Sequence, residues 1–150
     1  MSLHCDIIGF DTETEKLKQI KDMIKIQQNF ACRDMFTDSV VSAALQNISF
    51  GYLCLEDRYS VMGFIICRVT PTKDACSIEL ICGAKGYGLG TTFIELVEAD
   101  CKSLGIKMMQ LYAINEAPLI AWYQSLGYKI LNQVYTSSGE VKAQNMYKFL

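Results

Sequence analysis

Four glycines fall within eight residues at Gly83-Ala84-Lys85-Gly86-Tyr87-Gly88-Leu89-Gly90, and no other stretch restricts the fold as tightly. A backbone so poor in Cβ atoms turns sharply and lets another molecule come close. Its flanks fix the kind of turn. Before it, the apolar run Cys76–Cys82 reads as a strand. After it, Phe93, Leu96, Val97, Cys101 and Leu104 share one helical stripe, with Glu95, Glu98 and Lys102 outside it. Gly105 sits where a left-handed C-terminal cap belongs. The chain must therefore pass from strand through loop to helix here. The first N–H groups of such a helix, with its dipole, favour an anion, and Lys85 adds a positive charge. A pyrophosphate fits.

Periodicity places the remaining elements. Leu3 to Phe10 reads as a strand, and Glu15 to Phe30 as an amphipathic helix with Leu17, Ile20 and Ile24 inward and four lysines interleaved. A shorter helix fits Asp38 to Ile48, capped by Thr37. Strands are predicted at Phe50–Glu56 and Val61–Thr70, joined by short turns that suit antiparallel hairpins. Beyond the glycine loop come a strand at Lys107–Ala113 and a helix opened by Pro118 and stopped at Gly127. Strands from Tyr128 to Tyr135 and from beyond Ser138–Gly139 to Leu150 close the chain. With no repeat or flexible linker, residues 1–150 make one α/β domain: a mixed, mostly antiparallel twisted sheet with about four flanking helices.

Composition excludes several classes. A hydrophobic fraction of 51% is incompatible with disorder, and a net charge of −2 gives no footprint for nucleic acid. His4 is the only histidine, so neither a Cys/His zinc site nor a histidine triad can be assembled, and no metal is expected. Seven cysteines, an odd number with no C-x-x-C pair, lie mostly in apolar runs. They read as packed thiols in a reducing compartment, without a disulfide framework. With no leader and no membrane-length apolar run, a soluble cytoplasmic protein is expected.

The loop lacks the Gly-Lys-Ser/Thr ending of a Walker A motif, and it reads G-x-G-x-G where a dinucleotide fingerprint needs G-x-G-x-x-G. A glycine-rich turn without a ligand is the remaining alternative. Ala84-Lys85-Gly86-Tyr87-Gly88, however, resembles the Gln/Arg-x-x-Gly-x-Gly/Ala signature of the GNAT superfamily of acyl-CoA-dependent N-acetyltransferases, beyond its first position. Downstream, Trp122-Tyr123-Gln124-Ser125-Leu126-Gly127-Tyr128 is similar to the family's aromatic-Tyr-x-x-x-Gly-aromatic segment, at the family's spacing. The likeness runs from about Ile78 to Leu131. Gly83 stands where the family has Gln or Arg, and Asn115 lies one residue farther from Tyr123 than usual.

The resemblance implies acetyl transfer from acetyl-CoA to a primary amine by direct attack in a ternary complex. It also implies a central parallel strand pair that splays to admit pantetheine, with Leu80, Ile81 and Cys82 offering backbone groups. Gly83, Lys85, Gly86, Tyr87, Gly88, Leu89, Gly90 and Thr91 would hold the diphosphate, with Asn115 beside the cofactor. Tyr123 takes the family's general-acid position. Glu79, on the strand before the loop, is the candidate base, acting directly or through water; an ordinary ion pair is the alternative. Cys82 is taken as a packed thiol rather than a nucleophile, for want of a histidine partner. A non-catalytic acyl-CoA-binding module on the same fold is the second reading. No membrane partner is expected, and a homodimer is carried only as the commonest arrangement of small enzymes.

Overall fold

The computed structural model describes residues 3–9, 43, 44, 46, 48–56, 60–84 and 86–150. Seven strands form one sheet in the order β1-β2-β3-β4-β5-β7-β6. They are β1 (Leu3–Gly9), β2 (Phe50–Glu56), β3 (Ser60–Val69), β4 (Ala75–Gly83), β5 (Met108–Ile114), β6 (Lys129–Tyr135) and β7 (Val141–Phe149). Two helices are described, α1 (Leu89–Ser103) and α2 (Ala117–Ser125). Residues 43, 44 and 46 are also helical. The expectation of about four helices is thus matched only by these, because the helix placed at Glu15–Phe30 lies outside the described residues.

The sheet is mixed, as expected. β1 pairs antiparallel with β2, and β2 with β3. The β3–β4 turn closes through Thr70, whose carbonyl accepts from Lys73 N at 2.8 Å and whose Oγ1 accepts from Ala75 N at 3.2 Å. β4 and β5 pair in parallel over four positions, from Ala75↔Met108 to Ile78↔Leu111, with α1 as the crossover between them. β7 pairs antiparallel with β5 on one side and β6 on the other. β6 is therefore an edge strand, and its register with β7 shifts twice, between Ile130 and Asn132 and between Val134 and Tyr135.

The chain groups into two compact units, Met1–Arg68 with Glu79–Val97 and Val69–Ile78 with Glu98–Leu150. In the first, Leu53, Phe64, Ile65, Ile66, Phe93 and Val97 are fully or almost fully buried. In the second, Cys76, Cys101, Met109, Leu111, Tyr128 and Met146 are. Each large apolar side chain so placed contributes roughly 1.5–3 kcal/mol relative to exposure. The α1 stripe needs two corrections. Leu104, expected inside, is 68% exposed, because the helix has ended and Gly105 has turned the chain at φ +78°. Glu98, expected outside, is buried: it follows Ile94 by one turn, on the same face.

The cysteine expectation is overturned. Cys5 and Cys54 stand directly opposite in the β1–β2 register and are disulfide-bonded. Strand pairing brings their Cβ atoms together although 49 positions separate them in sequence. Cys82 is also disulfide-bonded, so it is not the free packed thiol expected. Cys67, Cys76 and Cys101 are buried free thiols, as expected. A hydrogen bond with Cys76, reinforced by burial, pushes the Cys101 thiol far above its usual range and keeps it protonated. No helix among the described residues is long and apolar enough to cross a membrane, and none of them form a cluster fit to hold a metal ion.

Candidate active site

The loop grows directly out of the sheet. Ala84 N donates to Met62 O on β3 at 2.8 Å, so the chain keeps its strand pairing until that residue. It then turns through Gly86 (φ +88°) and Gly88 (φ +65°), in the left-handed region that favours glycine. Among the described residues, a Cβ on either would meet nothing within 4 Å, so the backbone there faces space that a ligand can enter. Gly88 ends the turn as the helix begins: its carbonyl accepts from both the N–H and the Oγ1 of Thr92, each at 3.2 Å. The N–H groups of Leu89, Gly90 and Thr91 belong to the first turn, where no intrahelical acceptor exists. That turn carries no acidic residue to repel an anion. Lys85 lies outside the described residues.

Close packing holds this turn against the sheet. Leu89 is buried, and a Cβ at Gly83 would come 3.0 Å from Leu89 Cβ. A side chain at position 83 would therefore press on the leucine that anchors the helix. A Cβ at Gly63 on β3 would meet Cys82 O at 2.8 Å and the Leu89 and Phe93 side chains at 3.0 Å. Gly63 thus allows α1 to settle on the end of β4, a role invisible in the sequence because all three neighbours are distant in it.

Leu80, Ile81 and Cys82 lie on β4 beyond its last pair with β5. Alternation puts Glu79 and Ile81 half-buried on one side, with Leu80 and Cys82 buried on the other. Glu79 Oε1 sits 3.1 Å from Arg68 Nε, close enough for an ion pair but outside hydrogen-bond geometry. The Glu79 side chain is 29% exposed and that of Arg68 56%. The candidate base therefore already has a cationic neighbour.

Tyr123 and Asn115 belong to the second unit. Tyr123, on α2, is 5% exposed. Its ring packs 4.8 Å from Trp122 and, edge-on, 5.9 Å from Tyr128. Burial alone pushes its hydroxyl up to about 12, since the phenolate would lose its water. Its carbonyl accepts from Leu126 N at 3.0 Å and Tyr128 N at 3.1 Å, where the chain leaves the helix through Gly127 (φ +96°). Asn115 precedes α2; its N–H donates to Lys142 O at 3.2 Å, and its Oδ1 accepts from Gln144 Nε2 at 3.3 Å. Gln144 is buried, and its Oε1 has no hydrogen-bond partner among the described residues.

Lys148 and Glu98 escaped the sequence reading. Lys148 Nζ donates to Glu98 Oε1 at 2.5 Å and Oε2 at 3.2 Å. The i, i+4 spacing of Ile94 and Glu98 was the signal for a buried glutamate; nothing local pointed to its lysine.

No protein-family model matches the chain, and no curated protein does. Solved structures do match over nearly its whole length. A GNAT-family protein from Desulfovibrio desulfuricans aligns at TM-score 0.73 and 14% identity, covering 97% of both chains. The ribosomal-protein-S18-alanine N-acetyltransferase of Escherichia coli aligns at TM-score 0.71 and 19% identity, over 97% of this chain and 94% of that one. The PaiA N-acetyltransferase of Thermoplasma acidophilum, solved with coenzyme A, aligns at TM-score 0.70 and 13% identity, over 100% of each. At such identities the agreement concerns architecture, and the architecture is clear: this chain has the fold of the GNAT acetyltransferases.

Proposed function

We propose that the protein is an acetyl-CoA-dependent N-acetyltransferase acting on a primary amine. One observation carries the reading: on this fold, the left-handed turn at Gly86 and Gly88 opens its backbone to space and leads into an acid-free helix N-terminus. A diphosphate fits such a cradle through N–H groups alone, so the missing Gln or Arg at position 83 does not count against it. Acetyl-CoA binds here as a substrate, and the CoA-bound Thermoplasma protein on the same fold supports that choice. Gly83 to Thr91, with Lys85 among them, take the diphosphate. Backbone groups of Leu80, Ile81 and Cys82, which follow the last β4–β5 pair at Ile78, meet the pantetheine.

The neutral amine nitrogen attacks the thioester carbonyl carbon, forming the C–N bond as the carbonyl π pair moves onto oxygen; collapse of that tetrahedral oxyanion then breaks the C–S bond and expels the thiolate. The proton lost by the amine goes to Glu79, directly or through water, once the carboxylate is released from Arg68. A backbone N–H near Ile81 or Cys82 stabilises the oxyanion. Tyr123 O–H hydrogen-bonds the departing sulfur and supplies its proton. Asn115 orders the start of α2 beside the cofactor.

Calorimetric titration with acetyl-CoA, CoA, NAD and ATP tests this. Binding of the two CoA species alone, at micromolar Kd or about −8 kcal/mol, followed by thiol release with an amine panel, is the expected result. CoA binding without turnover on any amine would indicate a non-catalytic acyl-CoA module. No CoA binding at all would reduce the loop to a structural turn.

A further inference from the structure

Lys148, the penultimate residue of β7, reaches three separate parts of its unit. Its Nζ is bonded to both carboxylate oxygens of Glu98 on α1. It also donates to Leu126 O, just past the end of α2, at 2.8 Å. And it lies 5.8 Å from the centroid of the Tyr128 ring. The last carbonyls of a helix lack intrahelical donors and sit at the negative end of its dipole, so a cation is well placed there. The cation comes from a strand 22 positions downstream.

Both α2-side neighbours of Lys148 are the groups that hold Tyr123. The N–H groups of Leu126 and Tyr128 donate to the Tyr123 carbonyl, and the Tyr128 ring packs edge-on against the Tyr123 ring. Between them, Gly127 leaves room for the lysine stem: a Cβ there would come 3.2 Å from Lys148 Cε. One side chain thus secures the backbone and, through one ring, the aromatic face of the same tyrosine. A partly buried ion pair is weak evidence for stability, since desolvation offsets its attraction; fixing one geometry is the role these contacts suit.

We propose that Lys148, backed by Glu98, is a positioning residue that orients the Tyr123 hydroxyl. The claim rests on the reading of Tyr123 as proton donor in acetyl transfer.

The test uses Lys148→Met, Lys148→Arg, Tyr123→Phe, the Lys148→Met/Tyr123→Phe double variant and the pair-neutral Lys148→Met/Glu98→Gln. Lys148→Met should lower kcat roughly tenfold or more while KM for acetyl-CoA changes little, and Lys148→Arg should restore part of the loss. In the Tyr123→Phe background Lys148→Met should cost nothing further, because the two act through one group. Lys148→Met/Glu98→Gln removes the stranded carboxylate and should regain stability in urea without regaining kcat. Trp122, the sole tryptophan, lies beside Tyr123; its emission should change in Lys148→Met and in Lys148→Met/Glu98→Gln and stay near wild type in Lys148→Arg. Additive losses, recovery of kcat with Glu98→Gln, or unchanged Trp122 emission would overturn the proposal. If the wild-type protein binds no CoA and turns over no amine, the functional reading fails instead, and Trp122 emission still decides whether Lys148 sets the geometry around Tyr123.

Discussion

Burial strips water from the Tyr123 hydroxyl, and the phenolate, which needs that water most, is the form that suffers. With its pKa near 12, full proton transfer to a thiolate of ordinary pKa about 8.5 is uphill by roughly 5 kcal/mol in the resting site. Tyr123 should therefore act first as a hydrogen-bond donor to sulfur as charge develops, with transfer completing as the thiol departs. Tyr123→Phe is expected to lower kcat roughly 100-fold while acetyl-CoA affinity stays within about twofold, as calorimetry beside steady-state kinetics would show. Because the group stays protonated, kcat should show no falling limb from it between pH 6 and 9. Stability carries the matching signature. A pKa raised in the folded state stabilises fully below the unfolded value of about 10 and is lost as pH rises toward 12. Between pH 9 and 11 wild type should lose about 1.3 kcal/mol more than Tyr123→Phe in urea unfolding. Equal losses would mean the ring is more hydrated than its burial implies.

At the scale of elements, the loop glycines divide into two kinds. Gly86 and Gly88 are required by conformation and have open space around them. Alanine at either should cost about 1–2 kcal/mol and weaken acetyl-CoA binding, read by calorimetry. Gly63 is required by space, against the Cys82 carbonyl and the Leu89 and Phe93 side chains. Alanine there should cost about 1–3 kcal/mol through overpacking, and it should disturb α1 even without ligand, as hydrogen exchange at Leu89–Phe93 would show. The β1–β2 disulfide is a third such element. Closing a loop of 49 positions constrains the unfolded chain by about 4 kcal/mol on the chain-entropy account. Cys5→Ala/Cys54→Ala should lower the urea midpoint accordingly.

These elements also show what a sequence can disclose. Phe50–Glu56 was readable end to end, and the left-handed cap at Gly105 and the helix stop at Gly127 were readable too, because period and turn chemistry are local. The glycine turn between β4 and α1 was visible for the same reason. The Cys5–Cys54 bond, the space over Gly63 and the Lys148–Glu98 pair were not. Each depends on residues brought together by strand order, and the insertion of β7 between β5 and β6 leaves no trace in local pattern.

Across the whole molecule, the division into two units falls inside β4, between Ile78 and Glu79, and inside α1, between Val97 and Glu98. Domain boundaries ordinarily fall in exposed linkers; here the chain crosses as a continuous strand and a continuous helix. We therefore expect the protein to unfold as one domain. Far-UV and near-UV circular dichroism should lose signal in a single coincident thermal transition, whereas two separated steps would show independent domains. The outermost strand has a different consequence. β6 exposes Leu131 and Tyr135, the kind of apolar rim along which a foreign chain adds itself and fibrils begin. Its two register shifts break the even spacing of outward-facing amides that such a recruit would have to match. The irregularities that look like flaws in the ladder thus act as a guard against runaway assembly, and straightening either one should be paid for in solubility long before it is felt in catalysis.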